Sequence, residues 1–206
     1  MTKKGKIIAV VGAPRSGKSF LVRKLAERFD AKMIFEGEEG DFPTRIEEDI
    51  RENIRPPERV LWFRTMLVEK YLQAVKMKSE GHTVILDVFW MTPHMFIDTL
   101  LEGFERELMW EVAMIDRKLL GWPDLTVFLK ISEDGIRKFV KLGGRSFDQS
   151  ENVIVKQILP VKEMNDKFFA KEEGEHILTV DRDNLDFEKK EDLENLISQI
   201  QKILVK

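Results

Sequence analysis

The sequence predicts an α/β fold of three layers, with helices on both faces of a five-stranded parallel sheet. Short runs rich in β-branched and aromatic residues alternate with amphipathic stretches along the chain, the pattern made by parallel strands joined by helical crossovers. The run Val84-Ile85-Leu86 is apolar without alternation, as suits a strand covered on both faces. The 206 residues carry 43% apolar side chains and show neither an internal repeat nor a low-complexity linker. Residues 1–206 are therefore expected to form one domain with a substantial core.

The first strand is expected at 6–11, and a helix at 18–29 sets Leu21, Val22, Leu25 and Phe29 at helical spacing. A second strand at 32–35 runs to Glu36, and 37–42 reads as an acidic loop. Helices follow at 44–54 and 58–79, separated by Pro56 and Pro57, since proline breaks a helix interior. The third strand spans 83–89, a long helical segment 93–119, and the fourth strand 124–131. A helix at 132–140 opens on Ser132 with acids in its first turn, and Gly143 and Gly144 begin a loop. A helix at 152–169, kinked by Pro160, a fifth strand at 176–180 and a helix at 189–204 complete the chain.

Composition excludes several kinds of function. The 34 basic and 37 acidic residues leave a formal charge of -3, which argues against a dedicated nucleic-acid surface. Cysteine is absent, so disulfides, thiolate zinc sites and a cysteine nucleophile are ruled out. His82 and His94 have no second ligand at metal spacing. No run approaches the ~18 apolar residues of a membrane span, and the apolar run after the basic N-terminus is too short for a signal-peptide core. A cytoplasmic location is expected. High charge content, sparse Asn and Gln and no Cys lean towards a thermophilic protein.

Gly12-Ala13-Pro14-Arg15-Ser16-Gly17-Lys18-Ser19 matches G-x-x-x-x-G-K-S/T between an expected strand and an expected helix. Gly12 and Gly17 permit the bends that turn successive N–H groups inward, where they and the helix N-terminus hold phosphate oxygens. Lys18 would reach the β- and γ-phosphates, and the Ser19 hydroxyl would ligate Mg²⁺. The motif implies a P-loop NTPase fold that binds ATP, or another nucleoside triphosphate, with Mg²⁺. Asp87 ends an apolar strand, where an acid that contacts the metal belongs.

Beyond this loop, four stretches resemble the deoxyribonucleoside kinase family of P-loop kinases. Met33-Ile34-Phe35-Glu36 is similar to the family's second strand ending in a catalytic glutamate. Residues 62–67, with 81–87 after them, resemble its substrate helix and acidic strand end. Residues 123–129 followed by 144–149 resemble its fourth strand and arginine-bearing lid. Residues 180–187 resemble its closing segment. The resemblance implies phosphoryl transfer from ATP to a hydroxyl of a nucleoside-like small molecule, with Glu36 as base beside Lys18. It also implies a lid at about 133–150 whose Arg145, helped by Arg137 and Lys141, folds over the triphosphate. A homodimer through the helices at 58–79 and 93–119 is expected on the same ground.

The match has departures. Arg64 stands where the family reads the base with Gln, and arginine cannot accept a hydrogen bond. Arg64 is open to reading a guanine edge, to holding a phosphate or carboxylate, or to a helix-surface ion pair. Val88 stands where an arginine usually follows the strand-end acid, and Glu163 is the nearest counterpart of the sugar-reading glutamate. Phe89 and Trp90 are open to stacking on a planar acceptor or to core packing. Two other readings stay open: a nucleoside monophosphate kinase of the thymidylate-kinase type, with Arg64 on the acceptor phosphate, and a nucleotide-binding switch without acceptor chemistry.

Overall fold

The computed structural model describes residues 5–37, 41–142, 150–172 and 176–205. Its strands are β1 (Ile7–Gly12), β2 (Lys32–Ile34), β3 (Val84–Leu86), β4 (Leu125–Lys130) and β5 (Ile177–Asp181). They form one parallel sheet in the order β2-β3-β1-β4-β5. The wholly apolar β1 lies at the centre, with Ile8 opposite Ile85 on one side and Leu125 on the other.

Alternate residues of each strand feed opposite layers. Ile8, Val10, Ile85, Val127 and Leu129 pack against Leu21, Val22 and Leu25 of α1 (Lys18–Phe29) and against Leu196, Ile197 and Ile200 of α9 (Lys190–Leu204). Ile7, Ala9, Val11, Val84 and Leu86 pack on the other face. Their partners there are Tyr71 and Ala74 of α3 (Pro56–Ser79), Met95 of α4 (His94–Leu100), and Val161 and Phe169 of α8 (Leu159–Phe169). The result is the expected three-layer architecture. The remaining helices are α2 (Thr44–Glu52), α5 (Gly103–Leu120), α6 (Glu133–Leu142) and α7 (Glu151–Val153). No helix among the described residues is long and apolar enough to cross a membrane.

Three local expectations change. The segment at 93–119 is two helices, not one. Leu101 and Glu102 are extended, and Gly103 takes φ 51°. The corner buries Leu101 against Val60, Ile97 and Met109, and Asp98 ties it by accepting from Arg106 Nε at 2.6 Å and Trp110 Nε1 at 2.9 Å. No proline marks this break, so periodicity passes over it. The helix at 152–169 contains a π-helical turn, Ile154–Ile158, just before Pro160. Proline has no N–H and crowds the carbonyl four residues back, and the wider turn absorbs both effects. Pro56 and Pro57, finally, are the first residues of α3, where a missing N–H costs nothing.

Candidate functional site

The phosphate loop links β1 to α1 through backbone that side chains resist. Gly12 has φ 149°, and a Cβ there would lie 2.7 Å from the Leu129 carbonyl oxygen. Gly17 has φ 88°, and Arg15 itself is left-handed at φ 68°. Ser16 N donates to the Ala13 carbonyl at 3.2 Å. The Ser16 hydroxyl is buried inside the loop without a hydrogen-bond partner. Lys18 Nζ arches back and donates to the carbonyls of Gly12 (3.2 Å) and Ala13 (3.0 Å). Ala13 is buried against α6 and the π-helical turn, which seats the loop on the last third of the chain.

Asp87 follows β3 and is 4% exposed. Its Oδ2 accepts from Ser19 Oγ at 2.6 Å, and its Oδ1 accepts from the Glu36 amide at 2.8 Å. One carboxylate therefore joins the first turn of α1 to the end of β2. The paired Ser19 hydroxyl and Asp87 carboxylate fit Mg²⁺, which takes one or two protein oxygens and fills its octahedron with phosphate and water. Among the described residues no group of three or more acids and histidines could hold a metal without such help. Lys70 of α3 donates to the Phe35 carbonyl and, at 2.7 Å, to that of Glu36, so a cation fixes the backbone at that strand end.

A cavity of about 350 Å³ opens from the loop. Gly12, Pro14, Arg15, Gly17, Lys18, Ser19, Glu36 and Asp87 line its phosphate side. Val60, Phe63 and Leu67 of α3, Phe96 and Leu100 of α4, and Val153, Ile158 and Val161 give it apolar walls. Arg59, Gln157 and Asn165 are polar groups among those walls. Arg59 is 3% exposed. It donates through Nη1 to the Asp49 carbonyl (3.3 Å) and through Nη2 to Asn53 Oδ1 (3.0 Å), and burial pulls its guanidinium below the ordinary arginine value.

Other predicted site residues lie elsewhere. Arg64 does not line the cavity. It grips Asp116 of α5 with Nε at 2.9 Å and with Nη2. The Asp116 carboxylate is 2% exposed, so the pair ties α3 to α5 from within. His94 Nε2 stands 3.6 Å from the same carboxylate. Burial is the main reason its pKa drops to about 4. Phe89 and Trp90 are core residues, 2% and 0% exposed, and Trp90 Nε1 donates to the Gly121 carbonyl at 2.7 Å. A ring packed on all sides has no face left for an acceptor. Arg137 spans α6 and α7 by pairing with Glu133 (2.8 Å) and Glu151 (2.9 Å), away from the cavity. Lys141 is exposed. Glu163 is an exposed partner of Lys167. Arg145 lies outside the described residues.

Sequence reading missed Arg59, Lys70, Gln157 and Asn165. Each is an ordinary polar residue on a helix, and nothing in the one-dimensional pattern separates it from a surface position. Arg182 was also missed. It follows β5 with its guanidinium between the rings of Phe139 and Phe187, each 4.4 Å away, beside Gly17.

No family model and no curated relative matches the chain. Solved structures do. A deoxyadenosine kinase from M. mycoides with bound dATP superimposes with a TM-score of 0.73 at 14% identity, covering 95% of this chain and 99% of that one. The chain has the fold of deoxyadenosine kinase. The same enzyme with the products dCMP and a flexible dCDP gives 0.67, and with dCTP 0.68, at the same identity and coverage. The correspondence runs through nearly the whole chain, with the five-stranded sheet and its helices on both faces as the shared frame.

Proposed function

We propose that this chain is an ATP- and Mg²⁺-dependent kinase that transfers the γ-phosphoryl group to a hydroxyl of a nucleoside-like acceptor. The observation that carries this reading is the shared cavity: the phosphate loop, Glu36 and Asp87 stand at one side of a space whose other walls are apolar and fit a ring system. The likeness to deoxyadenosine kinase structures supports it.

In this reading Gly12 to Ser19 hold the triphosphate, and Lys18 turns from the loop carbonyls to the β- and γ-phosphates. Glu36 takes the proton from the acceptor hydroxyl as its oxygen bonds to the γ-phosphorus and the bond to the β,γ-bridging oxygen breaks, releasing ADP. Ser19 and Asp87 hold the metal, which supplies charge neutralisation at the transferring group. Asp87 also keeps Glu36 in place through its amide. Residues 133–150 serve as the lid with Arg145 on the triphosphate, and residues 1–206 act as one domain. Two such domains pair through the exposed apolar residues of α3 and α5, among them Leu72 (50% exposed) and Leu119 (76%).

The test is ADP formation from ATP and Mg²⁺ across a panel of nucleosides and nucleoside monophosphates, with Lys18→Ala and Glu36→Gln alongside. One nucleoside that stimulates turnover in the wild type and in neither variant is the expected result. Stimulation by monophosphates alone replaces this reading with a nucleotide kinase. ATP binding without any acceptor effect replaces it with a nucleotide switch.

A further inference from the structure

Arg59 has an unusual situation for a buried guanidinium. Its two hydrogen bonds go to neutral oxygens, the Asp49 carbonyl and Asn53 Oδ1. The nearby Asp49 carboxylate attracts Arg59 through space but is hydrogen-bonded by Arg55, whose Nε lies 3.0 Å from Oδ2. No carboxylate among the described residues stands within 4.0 Å of the Arg59 guanidinium, and its Nε–H is buried without a partner. Arginine has five N–H donors and no acceptor, so most of this fork remains unused. A buried cation so placed is costly unless something electron-rich meets it.

The same residue lines the cavity. The next carbonyl of α2, that of Ile50, accepts from Gln157 Nε2 at 3.0 Å. The end of α2 therefore holds both Arg59 and Gln157, and its last carbonyls carry the partial negative charge that suits a cation. Gln157 spends one of its two amide N–H groups on that carbonyl and keeps its oxygen. Both residues line the cavity, where a free amide oxygen would repel a phosphate or carboxylate but would accept readily from a ring N–H. Val60, Phe63 and Leu67, on the same face of α3 as Arg59, supply flat apolar contact.

We propose that Arg59 is a specificity-determining residue for the acceptor, whose donor-only fork selects 6-oxopurine nucleosides over 6-aminopurine nucleosides. A 6-oxopurine offers O6 and N7, two acceptors side by side, which is the edge an arginine fork pairs with. A 6-aminopurine sets an N–H donor against the fork. For turnover the inference rests on the kinase reading above; for binding it does not.

Two measurements test it. The first is calorimetric binding of deoxyinosine and deoxyadenosine, without ATP, to wild type, Arg59→Gln and Arg59→Lys, each first checked for an unaltered thermal midpoint. The second is KM and kcat for the same pair. Wild type is expected to bind deoxyinosine about tenfold or more tighter, the discrimination of one good paired contact. Arg59→Gln is expected to erase or invert the preference, since a carboxamide pairs with the adenine edge. The change should fall on KM. Arg59→Lys, still donor-only, keeps the direction of preference and so rescues it if the glutamine variant folds poorly. Equal or tighter binding of deoxyadenosine by wild type overturns the proposal. So does an equal loss of both ligands in Arg59→Gln, or a monophosphate requirement that disappears in that variant. A binding preference without turnover rejects the kinase reading and keeps this one; turnover without a preference does the reverse.

Discussion

The Ser19 hydroxyl donates to Asp87 Oδ2 over 2.6 Å. The partner oxygen of the same carboxylate accepts from the Glu36 amide at 2.8 Å. The first turn of α1 after the phosphate loop and the backbone of the residue proposed as base are thus tied to one buried acid, so their placement does not depend on loops alone.

Replacing Asp87 by Ala leaves the Ser19 hydroxyl and the Glu36 amide without their acceptor. An orphaned buried donor costs about 1–3 kcal/mol. A net loss of about 2 kcal/mol lowers the melting midpoint of a chain this size by roughly 4–8 °C. Scanning calorimetry checks this, and an unchanged midpoint means that the carboxylate does not hold the first turn of α1 to the end of β2.

Glu36→Gln is expected to lower turnover by about 10²–10⁴-fold, the usual worth of a positioned general base, with ATP affinity retained. Lys70→Met is expected to lower it less, about ten- to a hundredfold, as when a group that orients a reacting residue is removed. Lys70 holds the carbonyls of Phe35 and Glu36 without lining the cavity. Steady-state kinetics separates the two, and wild-type rates in the lysine variant end its positioning role.

Arg64→Gln restores the residue that the resemblance leads one to expect, yet it strips Asp116 of its main partner. Breaking a pair around a buried carboxylate costs about 3 kcal/mol or more, and urea unfolding should show it. Acceptor preference should not change. A shifted preference at unchanged stability would return Arg64 to the acceptor site.

His94 is buried neutral, with its pKa down at about 4. The unfolded chain binds its proton near pH 6.5. Between those values the unfolded state holds a proton that the folded state lacks, so stability falls as pH drops from about 6.5 towards about 4, by up to about 3 kcal/mol. Urea unfolding at about pH 7.5 and about pH 5 should give a smaller difference for His94→Asn than for wild type. Equal differences would mean that another group sets the slope.

The exposed apolar residues of α3 and α5 predict association. Leu61, Leu72 and Val75 share one face of α3, and Phe104, Leu108, Ile115 and Leu119 share one face of α5. Sedimentation of the wild type should show a dimer, and Leu72→Glu with Leu119→Glu should yield a folded monomer. A monomeric wild type removes the pairing proposal.

The sequence alone determined the sheet, its parallel sense, the phosphate loop and the two strand-end acids, because these follow from local rules. Alternating layers need apolar runs of strand length, and a phosphate cradle needs Gly12, Gly17, Lys18 and Ser19 at fixed spacing along a few residues of chain. The tertiary structure decided which side chains meet. Arg64 and Asp116 lie 52 residues apart in the chain, and Gln157 reaches Ile50 across 107. The turn at Leu101 that brings α5 back exists because it buries Leu101 against Val60, far away in the chain. Phe89 and Trp90 fell to the core for the same reason, and Arg59 gained its place in the cavity. Periodicity reports which face of a helix is apolar; it does not report what that face will touch, since packing is settled by contacts between segments that only folding brings together.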